Sequence, residues 1–417
     1  MRILLSAFGF GPGEGSESGG AWRWAIELAK THDVVVVTDG AGLKRIGALV
    51  DSLKPPRLTV LYYRPLWVRW LNVSRWTSQF IFGQWQLGLL FYVRRLHEAQ
   101  PFDFCQHISY GVFRQASLLG FAGPKFIFGP VGGGEDAPWR LKQSIPFGER
   151  LREVARSLVN HLAVCNPLWR LAVSKADLVI ARTPETRAWF PHAVQRRTFL
   201  AQEIGSPTTE LRAASCWQEG EPIELLFAGR LLGLKGVQFA VPAVNELRQR
   251  GHAVRLTIVG SGPMEAPLAV MVRKLKLEAE VQFIPFLPQH ELFDRYAKAH
   301  VFVFPSLRDS GGNVVLEAMA AGLPVVCLDL GGPPCFVNAS CGVVVPARDA
   351  DESQLVQRLA DSIERVISSP ATWQHLHEGA LIRSVELSWD KQIERIQARI
   401  RTLFDPMQPH KGARPCP

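Results

Sequence analysis

The sequence predicts an α/β protein made of two doubly wound, Rossmann-like parallel-sheet domains that face a central cleft. Three observations carry this expectation. Short Val, Ile and Leu runs alternate with longer amphipathic stretches through both halves, the pattern of strands covered by helices on both faces. The length of 417 residues exceeds one ordinary core and suits two domains of about 200 residues each. Glycine-rich turns follow several of the apolar runs, where an open parallel sheet places its ligand crevice.

In chain order, strands are expected at Ile3 to Ala7, Val34 to Thr38, Phe104 to Ile108, Phe126 to Phe128 and Leu178 to Ala181, with a helix over Ala21 to Lys30. The second half offers Leu225 to Ala228, Leu256 to Val259, Val281 to Ile284, Val301 to Phe304 and Val325 to Leu328. Between Ala201 and Pro222 a polar run with Gly205 and Pro207 marks the boundary. The domains are therefore expected at 1–203 and 204–388. An amphipathic segment over 389–404 is expected to return to the first domain, and 405–417 reads as a disordered tail. No short-period repeat is visible.

Hydrophobic residues make up 47% and charged residues 20%, ordinary for a soluble globular chain. The net charge of +9 is uneven: residues 1–200 hold 25 Lys and Arg against 14 Asp and Glu, whereas the remainder is slightly acidic. A basic first half suits an anionic membrane surface or a phosphorylated acceptor, or is simply a solvated face. Within it, Trp67, Trp70, Trp76 and Trp85 interleave with Arg64, Arg69, Arg75, Arg94 and Arg95, which suits a bilayer interface as well as a core. No apolar run reaches the roughly 18 residues of a spanning helix, and the opening MRILLSAFGF reads as a buried strand rather than a signal peptide. Seven cysteines without metal-ligand spacing point to reduced thiols in the cytoplasm and to no metal site. A nucleic-acid partner is not expected, because no binding module accompanies the basic charge.

The richest stretch is FPSLRDSGGNVVLEAMAAGLPVV, Phe304 to Val326. Asp309 and Glu317 bracket the start of a helix over Asn313 to Ala321, closed by Gly322 and Pro324. Free amides at that helix start, beside Ser310, Gly311 and Gly312, can meet an anionic or polyhydroxyl ligand closely. Upstream, LLFAGRLLGLKG places Gly229, Arg230 and Lys235 at a strand-to-helix turn, where a guanidinium fork and an ammonium can grip a diphosphate. VGSGP adds a second glycine turn at Gly260 and Gly262.

Taken in order, GRLLGLKG, VGSGP and PSLRDSGGNVVLEAMAAGLPVV resemble the nucleotide-sugar domain of the retaining glycosyltransferases of family 4, which have the GT-B fold. The resemblance covers nearly the whole chain, with the specific motifs in the second half. It implies a glycosyltransferase that moves a sugar from a nucleotide-diphosphate donor to a saccharide or lipid-linked saccharide. Arg230 and Lys235 would neutralise the diphosphate, Glu317 would hold the ribose, and Asp309 would contact the sugar where the family usually has a glutamate. Ser310, Gly311, Gly312 and Asn313 stand where the family more often has glycine-aromatic-glycine, which alters the pocket.

In the first half, FGFGPGEGSESGG resembles the family's glycine-rich loop. It places Gly19 and Gly20 at a helix start near the phosphates and Glu17 near an acceptor hydroxyl. Gly129 and Pro130 of GPVGGGEDAPW stand where relatives have a histidine, so His107 is the candidate replacement, and Glu135 and Asp136 are candidate acceptor contacts. The resemblance implies no protein nucleophile: the leaving diphosphate takes the acceptor proton. It implies no cofactor or metal beyond the donor as co-substrate. A dinucleotide oxidoreductase lacks its GxGxxG fingerprint here. A GT-B phosphorylase or epimerase, or a non-catalytic nucleotide-sugar binder, stays open.

Overall fold

A computed structural model describes residues 1–12, 15–40, 43–74, 77–207, 214 and 216–404. The first half forms a seven-stranded parallel sheet from β1 (Arg2–Ser6), β2 (Asp33–Asp39), β3 (Leu58–Tyr63), β4 (Phe104–His107), β5 (Lys125–Val131), β6 (Leu178–Ala181) and β7 (Thr198–Leu200), in the order β3-β2-β1-β4-β5-β6-β7. The second half forms a six-stranded sheet from β8 (Ile223–Ala228), β9 (Val254–Val259), β10 (Val281–Ile284), β11 (Val301–Phe304), β12 (Val325–Leu328) and β13 (Gly342–Val345), in the order β10-β9-β8-β11-β12-β13. Both sheets are doubly wound. The order reverses between β1 and β4 in one and between β8 and β11 in the other, and each switch point opens a crevice at the carboxyl ends of the strands.

The sequence dictates this layering directly. Successive residues of a strand point to opposite faces, so Ile3 and Leu5 enter one core and Leu4 the other, and Val34 and Val36 separate from Val35 and Val37. One face of the first sheet is covered by helix Gly15–Ala29 (Trp24, Ala25, Leu28) and by the last helix, Trp389–Arg401 (Ile393, Ile396, Ile400). The other face is covered by helix Ser78–Ala99, with Trp85 fully buried, and by helix Pro167–Ser174, with Trp169 and Val173. The last helix thus crosses back onto the first domain.

The strands not anticipated, β3, β7 and β13, all lie at sheet edges. β3 and β7 are partly exposed, so neither carries the unbroken apolar run of a central strand. The second domain has one large core, and Ala137, Leu141 and Ile145 of the first half are buried in it. The segment between β5 and helix Phe147–Cys165 therefore spans the cleft and ties the domains together. The anticipated tail, 405–417, and Arg75 and Trp76 lie outside the described residues.

Candidate functional site

The loops after the strand ends of both sheets converge. After β8 the chain turns through Gly229 to Arg230, whose carbonyl oxygen accepts from the Leu232 amide at 2.9 Å and whose exposed side chain has no hydrogen bond or ion pair among the described residues. A short 3-10 turn, Gly233–Lys235, follows, and Gly236 in a left-handed conformation (φ 74°) starts helix Val237–Gln249. A Cβ at 236 would lie 1.8 Å from the Pro305 carbonyl oxygen, so only glycine lets this turn sit on the end of β11. That approach brings Lys235 to the neighbouring loop. Its Nζ lies 2.5 Å from Asp309 Oδ2 and 5.3 Å from the centre of the Phe304 ring.

Asp309 also accepts from the Gly311 amide at 3.2 Å through Oδ1, and its carbonyl oxygen accepts from Gly332 at 2.7 Å. Asp309 is thus held from three sides. It offsets the charge of Lys235, which leaves Arg230 as the uncompensated cation of the turn. Gly312 (φ 118°) leads into helix Asn313–Ala320, whose first amides have no side-chain cap from Gly312. Glu317 sits one turn inside. It accepts from the Tyr296 hydroxyl at 3.2 Å and from Gln289 Nε2 at 3.4 Å, and burial pushes its carboxyl above the usual range despite both bonds.

Ser310 meets the first domain, and Gly311 lies against Ile204 at the domain boundary. A Cβ on Gly132 would lie 2.8 Å from Ser310 Cβ, and one on Gly311 would touch Ile204 at 3.4 Å. Across the same seam Glu149 accepts from the Gly233 and Leu234 amides at 2.9 and 3.2 Å, Arg308 pairs with Glu153 at 3.2 Å, and Glu185 pairs with Arg348. Gly260 and Gly262 have a packing role: a Cβ on either would lie 1.9 Å from Gly229 O or 2.5 Å from Leu231 O, so they let the VGSGP turn nest against the Arg230 turn.

The structure contradicts three expectations, those for His107, Glu135 and the Gly19–Gly20 pair. His107 does not reach the cleft. It is fully buried in β4, with Nδ1 3.0 Å from Ser6 Oγ, between the rings of Phe82 and Phe128, and burial pushes its imidazole down to about 3. Glu135 is buried and accepts from Thr183 Oγ1 (2.7 Å), Thr186 Oγ1 (2.8 Å) and the Gly133 amide (2.9 Å), so it fastens its own loop rather than meeting an acceptor. Asp136 pairs with Lys142 at 3.2 Å and Arg156 at 3.4 Å. Gly19 and Gly20 are not at a helix start: the helix begins at Gly15, so their amides lie beyond its first turn and are committed to the helix itself. Glu17 stands in the first turn and accepts from the Gly111 amide at 3.1 Å.

Several residues of the seam were not singled out from the sequence. Arg182 pairs with Glu203 directly after β7, and burial lifts the Glu203 carboxyl to about 7 against the pull of Arg182, with Glu17 adding to the rise. Glu149 and Glu153 carry no local motif, because their partners lie far along the chain. Among the described residues no cluster of three or more His, Cys, Asp or Glu could hold a metal ion.

This geometry, two turns and a helix start meeting at paired switch points, can be compared with known proteins. Residues 209–381 match the family described as glycosyl transferases group 1. WcaL of Escherichia coli K12, a glycosyltransferase named for colanic acid biosynthesis, is 30% identical over 217 residues, 49% of this chain and 52% of WcaL. The D-inositol 3-phosphate glycosyltransferase of Pseudarthrobacter chlorophenolicus is 36% identical over 172 residues, 40% of each chain. The chain spans about half the length of the curated relatives it matches. Among solved structures, sucrose-phosphate synthase of Thermosynechococcus elongatus superposes with a TM-score of 0.61 at 19% identity, over 97% of this chain and 99% of the other. The Anabaena protein HepE, in complex with UDP and glucose, gives 0.58 at 18%, over 96% and 99%. The fold is that of these GT-B glycosyltransferases.

Proposed function

We propose that this chain is a retaining glycosyltransferase of family 4 that takes a sugar from a nucleotide-diphosphate donor to a saccharide or lipid-linked saccharide acceptor. One observation carries the reading most: an exposed Arg230, its side chain without a partner among the described residues, shares a turn with Lys235, which pairs with Asp309 of the loop leading into the helix at Asn313, with Glu317 one turn further on. The segment that matches glycosyl transferases group 1 contains all four residues, and the HepE structures with UDP and UDP-glucose support the donor class.

In this reading the donor diphosphate lies over the Arg230 turn, the ribose hydroxyls hydrogen-bond to Glu317, and the sugar meets the Gly311, Gly312 and Asn313 amides. The anionic diphosphate competes with Asp309 for Lys235. Asp309, once released, turns its carboxylate to the sugar hydroxyls. As the glycosidic bond breaks, charge grows on the diphosphate, and Arg230, Lys235 and the helix start stabilise it, each donor contributing about 3 kcal/mol. The acceptor proton passes to the departing diphosphate on the same face of the sugar, which retains the configuration. The two cations take the role that a metal has elsewhere, so no metal or other cofactor is required. We place the protein in the cytoplasm, in the assembly of a cell-surface polysaccharide or glycolipid and in peripheral contact with the inner membrane face.

The test is incubation with a panel of nucleotide sugars and acceptors. Release of nucleoside diphosphate together with an α- or β-linked product of the donor's own configuration is expected. An inverted product would refute retention. Release of no nucleotide from any donor, with the chain folded, would refute the transferase reading.

A further inference from the structure

Helix Phe147–Cys165 is turned inside out. Its buried residues are Glu153 and Asn160, which reach Arg308 and the Gly133 carbonyl, whereas Phe147, Leu151, Val154, Leu158 and Leu162 are 73, 58, 47, 59 and 61% exposed. Steps of four, three, four and four residues put these five on one face of a helix. The stripe runs about 22 Å along the surface, from the 1.5 Å rise per residue between Phe147 and Leu162. The next helix, Pro167–Ser174, continues it with Leu168 at 72% and Leu171 at 49%. Leaving this much apolar side chain in water is unfavourable, so the surface has an occupant.

Charge and position identify it. Arg140, Arg152 and Arg170 are exposed around the stripe and Arg150 is half-buried beside it, while Glu149 and Glu153 bond inward. Trp139 is exposed near the stripe's first turn. Trp67, Trp70, Phe80 and Phe91 are exposed on or beside helix Ser78–Ala99, which covers the same face of the first sheet as helix Pro167–Ser174. On the opposite face, helices Gly15–Ala29 and Trp389–Arg401 expose no large apolar side chain among the described residues. Arginine-rimmed stripes would repel each other in a self-paired dimer, but they complement lipid phosphates, and exposed tryptophans suit headgroup depth. Among the described residues no helix is long and apolar enough to cross a membrane, so contact would lie along the surface.

We propose that the outward face of helices Phe147–Cys165 and Pro167–Ser174 docks flat on an anionic lipid bilayer. Glu149 in the first turn of the docked helix also holds the Gly233 and Leu234 amides, so the bilayer lies beside the donor turn. Resting on the transferase reading, this makes the acceptor lipid-linked.

The test is sedimentation of the full chain with vesicles of phosphatidylglycerol mixed into phosphatidylcholine, against pure phosphatidylcholine. Wild type is expected to bind the anionic vesicles. A Leu151→Glu, Leu158→Glu double variant, altered only at exposed positions, is expected to bind them about tenfold more weakly or less. Arg150→Glu with Arg152→Glu is expected to remove the preference for anionic lipid. Absence of wild-type binding, or equal binding by the leucine variant, would overturn the proposal. So would a vesicle-indifferent dimer that the leucine variant splits into monomers. Nucleoside diphosphate binding by the same samples separates the two readings: vesicle binding without nucleotide binding sinks the transferase reading alone, and the reverse sinks the docking surface alone.

Discussion

The two domains treat polar residues at their strand ends in opposite ways. In the first, His107, Glu135 and Asp136 are bound to their own domain, and Glu135 alone takes three donors. In the second, the Arg230 side chain has no partner among the described residues, the helix at Asn313 starts beside the loop that pairs Asp309 with Lys235, and Glu317 is held by two long bonds. The first domain instead shows the apolar exterior: in the second, among the described residues, the exposed large apolar side chains are scattered at Val270, Phe286, Ile382 and Val385. A group already satisfied by its own fold costs too much to detach for a ligand, whereas an unsatisfied group at a cleft is ready for one. On the proposed reading the second domain is the binding lobe, and the first supplies the seam and the outer surface.

The strongest way to break that contrast is Arg230→Ala. Transfer should fall about a hundredfold to a thousandfold in kcat/KM, with the melting curve unchanged because the side chain is exposed. Unchanged turnover would remove Arg230 from the site. Next in size, Glu317→Gln should weaken donor binding about tenfold to a hundredfold, the worth of a hydrogen bond to a charged group, seen as a rise in the donor dissociation constant. Glu135→Gln probes the first lobe. It should lower unfolding stability by about 1–3 kcal/mol in denaturant titration while leaving the acceptor KM of the folded fraction unchanged. A selective rise in acceptor KM would put Glu135 back among the acceptor contacts.

Smaller still, Asp309→Asn frees Lys235. Nucleoside diphosphate affinity should rise about threefold, a fraction of a partly exposed ion pair, while sugar transfer falls. His107 should leave activity at neutral pH untouched and act through stability. Its folded value lies near 3, below the unfolded one near 6.5, so its contribution is fully present above 6.5 and is lost as pH falls toward 3. Unfolding measured across that window in wild type and His107→Gln should show a shallower fall in the variant.

Much of this was legible in the sequence because the relevant signals are local. Ten of the strands stand out as Val, Ile and Leu runs, and the second-domain turns keep glycine, cation and acid within a few residues of one another. The edge strands β3 and β7 escaped notice because half-covered strands need no unbroken apolar run, whereas β13 is a valine run as short as four residues with its glycine. His107 misled for the same reason that it is useful: a histidine at a strand's end points to the crevice only if no helix covers it, and Phe82 of helix Ser78–Ala99 does. The Glu149, Glu153 and Arg182 contacts depend on partners far along the chain, which no spacing reveals. The stripe from Phe147 to Leu162 was written in helical spacing, but its spacing alone suits a core face, and only the burial of Glu153 and Asn160 shows that it points outward.

The claim on which the rest stands is that the Arg230 turn grips a diphosphate. Calorimetric titration of wild type and Arg230→Ala with UDP, GDP and ADP tests it directly. At least one nucleotide should bind wild type with measurable heat and the variant about tenfold more weakly or less. No heat with any of them, or equal affinity in the two proteins, would contradict the account.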